Sequence, residues 1–458
     1  MTKCYHSSVA TILLIALTVC FTGCKSAPDK NTYLGVEKSQ IENQLNSLLE
    51  NYYPRLIDTV NGGYWTNFEN DWTLSPDQEK MLVTQARGLW TAARAGEIFP
   101  DNPTYHLAAD QGYEFLTRHM WDSVNGGFYQ TYYPNAVQKV DASYKLAYGN
   151  AFALYALAQY AKINPDPEVL AWVKKTFNWL ETALYDSADL GYFSVSLPKS
   201  ALMAGKTPEE IQFISQGDVF RKDQNTSIHL MEALTTTYQV LPEENVKARL
   251  TEMISLVRDS MTTPEGYLKL FFDRKWQPVS NTGLPREEIM KNLQIDHISF
   301  GHNIETAYLL VDAAQALYGE PDSLTLQVSK KLIDHTLAWG FDRDFYGLFD
   351  KGYAFVPDSV EVIDSIKVWW AQAEAWHACA LFAGLYPDEP VYREAFANMW
   401  DYITKELIDP QLGGWYNSGL DKSPATTRER KAHAWKGCYH DGRALMQVWL
   451  YAGGTERL

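Results

Sequence analysis

Four stretches of the chain place polar or aromatic side chains three or four residues apart inside otherwise apolar runs: Arg87 with Trp90, Asn225 with His229 and Glu232, His302 with Glu305, and Trp370 with Glu374. In a helix that spacing brings the members onto one face. A single histidine on an apolar helix is ordinarily a satisfied core residue. Here the arrangement recurs in separate parts of the chain. Buried polar groups cost free energy unless paired, so convergence on one cavity is more economical than several independent core networks. Three chemistries are open to these residue types. Imidazole, with an unperturbed pKa of about 6.5, gives or takes a proton around neutrality. Glu232, Glu305 and Glu374 would suit a glycosidase, in which two carboxylates do the work. The two His-x-x-Glu pairs are conceivable metal ligands, but neither forms the His-Glu-x-x-His signature of zinc hydrolases, so no metal or other cofactor is expected.

Side chains spaced in this way need helices to hold them. Residues 143–162, 225–240, 302–317, 369–385 and 441–451 read as helices rich in Ala, Leu and aromatics. Between helical segments runs a repeated turn of acidic or Asx residue, glycine and aromatic, as in Asn61-Gly62-Gly63-Tyr64 and Asn125-Gly126-Gly127-Phe128. Its last glycine stands at 63, 127, 191, 266, 347 and 414, at intervals of 64, 64, 75, 81 and 67 residues, enough for two helices per unit. Asp58, Asp122, Asp186, Asp342 and Asp409 stand a few residues upstream, consistent with turns that need a side-chain acceptor and a positive-φ glycine. Six helical hairpins closing on themselves predict an all-α fold, an (α/α)6 barrel over residues 34–458, with inner helices buried on nearly every face and turns shaping a pocket mouth. An open solenoid is the rival architecture.

The 458 residues are 46% hydrophobic, ample for such a core, and the formal net charge of -16 argues against a nucleic-acid or anionic-membrane partner. A neutral substrate fits better, and 15 Trp and 28 Tyr suit both helix packing and stacking on sugar faces. The N-terminus is a separate matter. Lys3 and His6 precede an apolar run over residues 9–19 that ends in Phe21-Thr22-Gly23-Cys24, the pattern of a lipoprotein signal with lipid on Cys24. Residues 1–24 are thus expected to be the signal and 25–33 a tether, which anchors the protein to a bacterial envelope by lipid alone. Cys379 and Cys438, the cysteines left beyond it, define no disulfide framework.

Six motifs in order resemble the N-acylglucosamine 2-epimerase superfamily, and within it the cellobiose 2-epimerases most closely. They are Thr84-Gln85-Ala86-Arg87-Gly88-Leu89-Trp90, Tyr148-Gly149-Asn150-Ala151-Phe152, Asn225-Thr226-Ser227-Ile228-His229-Leu230-Met231-Glu232, Ser299-Phe300-Gly301-His302-Asn303-Ile304-Glu305, Trp369-Trp370-Ala371-Gln372-Ala373-Glu374, and Lys431-Ala432-His433-Ala434-Trp435-Lys436 running to Tyr439-His440-Asp441-Gly442-Arg443. The resemblance implies an (α/α)6 barrel whose cleft opens an aldose ring and exchanges the proton on C2, acting on a mono- or disaccharide. It assigns His302 and His440 as paired general acid–base histidines, His229 as a third active-site histidine, and Arg87, Tyr148, Asn225, Glu305, Trp370, Glu374 and Trp435 as the sugar-contacting shell. Two positions depart from the cellobiose-epimerase pattern: Ser227 stands where His is usual, and Asn303 where Asp is common.

Those groups suffice for a cofactor-free route. A sugar C2 proton is acidic only beside an open-chain carbonyl, so the ring oxygen must be protonated and the C1 hydroxyl deprotonated first. Removing the C2 proton gives an enediolate, whose charge Arg87 is placed to stabilise. Return of the proton to the opposite face of C2 makes an epimer; delivery to C1 makes a ketose, the aldose–ketose isomerase alternative. A glycoside hydrolase on the same barrel and a non-catalytic glycan-binding lipoprotein are the other readings.

Overall fold

The computed structural model describes residues 30–137, 139–140, 144–196 and 222–454. The expected signal with Cys24, and the tether up to residue 29, lie outside the described residues. The tether's end is already structured, because Thr32–Tyr33 (β1) pairs antiparallel with Val36–Glu37 (β2).

The helices alternate between an inner and an outer ring. The inner ones are α2 (Leu82–Ile98), α4 (Ala147–Ile163), α6 (Gln224–Val240), α9 (Phe300–Tyr318), α11 (Trp369–Leu385) and α13 (Tyr439–Tyr451). Outside them lie α1 (Lys38–Tyr52), α3 (Pro103–Phe115), α5 (Pro167–Ala183), α7 (Glu244–Ser255), α10 (Ser323–Trp339) and α12 (Pro390–Tyr402), while the short α8 (Arg286–Lys291) sits in a connection. Each inner helix packs on the next, and α13 packs back on α2. The ring therefore closes, which decides between the barrel and the open solenoid. The first outer helix, α1, covers the last inner one, α13, so the two ends of the folded chain complete one hairpin.

Composition explains which helix goes where. The outer α5 buries Val169, Val173, Thr176, Phe177 and Leu180 at helical spacing, with Trp179 beside them. The inner α4 is buried along almost its whole length and is rich in alanine, which lets neighbouring helices approach it from both sides. It begins at Ala147, later than the sequence suggests, because Lys145–Leu146 (β5) is a strand paired with Val195–Ser196 (β6). Similar short antiparallel pairs precede other inner helices: Lys80–Met81 (β3) with Thr131–Tyr132 (β4), and Lys222–Asp223 (β7) with Phe271–Phe272 (β8). At Ile298–Ser299 (β9) the pairing extends to a longer hairpin, Lys351–Val356 (β10) with Ser359–Asp364 (β11).

The repeated turns join each outer helix to the next inner one, and Gly63, Gly127, Gly191, Gly266, Gly347 and Gly414 all have positive φ. In five of them the upstream aspartate does more than close the turn. Asp122 accepts from the backbone N–H groups of Val124 and Asn125 and also binds Lys145 at 2.7 Å. The same buried pair recurs as Asp58–Lys80, Asp186–Lys222, Asp342–Lys367 and Asp409–Lys431, between 2.6 and 3.1 Å. Each lysine lies at the approach to an inner helix, so the ion pair ties a turn to the helix that follows it. The turn at Gly266 has no such aspartate and uses the Thr263 hydroxyl, which accepts from Tyr267 N–H.

A second tie comes from the inner helices. The side-chain oxygens of Gln85, Asn150, Asn303 and Gln372 accept from the backbone N–H of Tyr64, Phe128, Leu268 and Leu348 respectively. Each is the fourth residue of its helix. Ser227 is the fourth residue of α6 and donates to the Asp223 carbonyl instead. The two departures noted in the sequence, Ser227 and Asn303, thus have their hydrogen bonds with the scaffold of turn and helix start.

Candidate active site

The inner helices all begin at the same end of the barrel, and their first two turns deliver the chemistry. Tyr148, Asn225, Trp370 and His440 are each the second residue of an inner helix, and Arg87, His229, Glu305 and Glu374 each the sixth. Second and sixth positions lie on one helix face, pointing inward, while the fourth turns toward the neighbouring loop. His302, third in α9, joins them beside Trp370, their rings 4.8 Å apart. The Trp370 ring also lies 5.7 Å from that of His440, so one indole contacts both histidines. Gly301 makes this possible, because a Cβ there would come within 2.5 Å of the Trp370 ring.

Beneath the histidines lies a buried charge network centred on Arg443. Its Nη2 donates to Glu305 at 2.6 Å and to Glu374 at 2.7 Å, and its Nη1 donates to Glu232 and to the Tyr439 hydroxyl. Tyr439 in turn donates to Glu232. Each carboxylate supports something above it. Glu374 binds Nδ1 of His440 at 2.5 Å and accepts from Tyr308, and Glu232 binds Nδ1 of His229 at 2.8 Å. Nδ1 of His302 meets the Ser299 hydroxyl at 2.7 Å. In all three histidines Nδ1 is taken, which leaves Nε2 for a substrate. Arg87 donates to Tyr148 at 3.0 Å and lies over the Phe152 ring, and its Nε has no hydrogen-bond partner among the described residues. Asn225 lies near Tyr148, and its Oδ1 has no hydrogen-bond partner among the described residues.

Burial and the network set the protonation states. Burial, with His229, His297, His440 and Arg87 nearby, pushes His302 down to about 3. Burial also carries His440 down to about 3, outweighing the Glu374 carboxylate. Burial thus favours the neutral form of both. Burial would raise Glu374, but Arg443 and the hydrogen bonds from His440 and Tyr308 hold it well below the usual carboxylate range. Glu305 goes the other way, pushed up to about 7 by burial and by the charge of Glu374, and its Oε2 has no hydrogen-bond partner among the described residues.

Of the residues assigned by resemblance, Arg87, Tyr148, Asn225, His229, His302, Glu305, Trp370, Glu374 and His440 come together at this end of the barrel. Trp435 does not touch them. It is 43% exposed on a loop that the Thr84 hydroxyl ties to the start of α2 through the Ala434 carbonyl, which puts it at the rim. Arg443, Tyr439 and Tyr308 were missed as site residues. Three acids destined for one cavity, Glu232, Glu305 and Glu374, were the signal that a buried cation must accompany them. Ligand atoms of Glu305, Glu374 and His440 lie within 4.8 Å of one another, a spacing a metal ion can bridge. The Arg443 guanidinium already provides the positive charge there, donating to both carboxylates.

Fold and site together define an (α/α)6-barrel protein with a histidine–carboxylate–arginine cleft at the N-terminal ends of its inner helices. More particularly, the chain belongs to the N-acylglucosamine 2-epimerase (GlcNAc 2-epimerase) family, whose sequence profile matches residues 63–443. It is 26% identical over 426 residues to the cellobiose 2-epimerase of Dictyoglomus turgidum, covering 91% of this chain and 98% of that one. It is 23% identical over 418 residues to the D-mannose isomerase of Marinomonas mediterranea, covering 90% and 96%. Among solved structures it resembles the cellobiose 2-epimerase of Spirochaeta thermophila with a TM-score of 0.74 and 27% identity, over 91% of this chain and 96% of that one.

Proposed function

We propose that the protein is a sugar 2-epimerase that interconverts the C2 epimers of an aldose by proton transfer through an enediolate. The observation that carries this reading is the pair of buried histidines, His302 and His440, both beside Trp370, each with Nδ1 engaged by a neighbouring side chain. A neutral imidazole accepts the C2 proton at Nε2. The C–H electron pair becomes the C1–C2 π bond, and the carbonyl electrons move to O1. The imidazolium so formed returns its proton to the opposite face after rotation of the intermediate; alternatively the second histidine returns one from its own imidazolium form, reached by taking a proton from water while the first histidine releases its own to water. Glu374, a carboxylate behind Nδ1 of His440, favours the imidazolium that forms there. The enediolate charge is met by Arg87 and by six helix N-termini, each carrying a partial positive charge. Trp370, Tyr148 and the rim residue Trp435 suit the faces of a sugar.

A glycosidase reading is less well supported, since Glu232, Glu305 and Glu374 all accept from Arg443, and Glu232 and Glu374 also bind His229 and His440. An isomerase would use the same groups and differ only in returning the proton to C1. The deciding experiment incubates the purified protein with EDTA in deuterium oxide and a panel of glucose, mannose, N-acetylmannosamine and a reducing disaccharide. The expected result by NMR is deuterium at C2 of an epimer, undiminished by EDTA. A ketose product favours the isomerase, a cleaved glycosidic bond without exchange favours the glycosidase, and binding without any exchange favours a glycan-binding protein.

The apolar run ending at Cys24 supports a second reading, that the protein works in the bacterial envelope as a lipid-anchored enzyme on mono- or disaccharides. Cys24→Ser should release it from membranes. Recovery of the intact native chain from the cytosol would end that reading.

A further inference from the structure

Helix α9 begins in an unusual way. Its N-cap residue is Ser299, with φ -88° and ψ 102°, a residue type and backbone shape suited to capping. The Ser299 hydroxyl caps no N–H of the helix. It lies 2.7 Å from Nδ1 of His302, its one partner among the described residues. At the start of α6, by contrast, Asp223 caps Thr226 N–H in the ordinary way. Ser299 is buried, and its backbone pairs with Lys351 of β10, the first strand of the long hairpin. The hydroxyl is therefore held in place from outside the helix it begins.

The two histidines beside Trp370 are backed by different chemistry. Behind His440 stands Glu374, a carboxylate that only accepts, so Nδ1 of His440 keeps its proton. Behind His302 stands a hydroxyl, which donates or accepts. We propose that Ser299 is the positioning residue of His302: its hydroxyl fixes the imidazole with Nε2 toward the cleft and lets the ring change tautomer without gaining charge. This rests on the acid–base role given to His302 above. In the resting tautomer Ser299 donates to Nδ1 and His302 carries its proton on Nε2. For Nε2 to accept a proton, the ring first exchanges protons with water, losing the one on Nε2 and gaining one on Nδ1, and Nδ1–H then donates to Ser299. The charged and titratable groups around His302 are Arg87 from α2, His229 from α6, His440 from α13 and His297 on the approach to β9, and each disfavours a positive charge there. No carboxylate backs His302 to offset them.

Ser299→Ala should lower kcat for C2 exchange by about ten- to hundredfold with KM little changed, because the ring loses its anchor and the sugar does not. Ser299→Thr keeps the hydroxyl and should restore most of the rate. Ser299→Asp places a carboxylate behind Nδ1, so the acidic limb of the kcat profile should move to higher pH; a residue that only starts the helix would change the melting temperature and leave that limb in place. Nitrogen-15 NMR of histidine-labelled protein, assigned with His302→Gln, reads the tautomer without any turnover. It should show Nε2–H in the native protein and Nδ1–H in Ser299→Asp. Native kcat in Ser299→Ala, or a native His302 that is Nδ1–H, overturns the proposal. If the native protein exchanges no C2 hydrogen, the epimerase reading falls, and the NMR result still decides the role of Ser299.

Discussion

Arg443 illustrates how one side chain underwrites several others. Its planar guanidinium reaches Glu232, Glu305 and Glu374 at once, a geometry a lysine ammonium does not reproduce. Those carboxylates then hold His229 and His440. Arg443→Met should leave buried carboxylates without a counter-charge and destabilise the fold by about 3–5 kcal/mol, to be read from urea unfolding. The histidines should behave differently. His302→Ala and His440→Ala should each lower turnover by about two to four powers of ten, with melting temperatures close to native. A folded variant of either that keeps near-native C2 exchange removes it from the proton-transfer pair.

At the scale of the element, one positional rule recurs among the inner helices: second and sixth residues supply the cleft, and in four of the helices the fourth residue bonds the preceding turn. The spacing of His302 with Glu305, or of Asn225 with His229 and Glu232, was visible in the sequence because it is local. The partners of the turns were not. Asp122 and Lys145 are 23 residues apart, and a lysine ahead of an apolar run reads as a surface residue until the fold buries it. Lys145→Met should strand the Asp122 carboxylate and cost about 3–5 kcal/mol, and the added change Asp122→Asn should recover part of that loss. Unfolding of the single and double variants checks this. No recovery in the double variant would mean that the lysine acts through packing alone. Ser227 and Asn303 are likewise fourth residues, and both bond to the scaffold.

For the molecule as a whole, closing six hairpins into a ring buries histidines that have no water to charge them. His377, on α11 below the cleft, is pushed down to about 3 by burial, as are His302 and His440. In the unfolded chain each titrates at about 6.5. Between those values the unfolded state binds more protons than the folded one, so stability falls as pH drops from about 6.5 toward 3. At pH 5 the loss from His377 alone is on the order of 1–2 kcal/mol. His377→Leu, which leaves the proton-transfer pair intact, should therefore lose less melting temperature between pH 7 and pH 5 than the native protein does. An equal loss in both would place the acid sensitivity elsewhere.

The sequence by itself determined the helical hairpins, the glycine turns and the residue types at the cleft, because each depends on neighbours within a turn or two of chain. It also carried the family motifs that point to His302 and His440. Only the tertiary structure decided that the repeat closes into a ring, since closure requires α13 to pack on α2, at opposite ends of the chain. It alone joined Arg443 to Glu232, 211 residues away, and set Ser299 behind His302 through a strand from the following hairpin. Local sequence pattern sets the face on which a side chain emerges. Which faces meet, and what charge each group keeps there, follows from the packing of distant segments into one low-dielectric space.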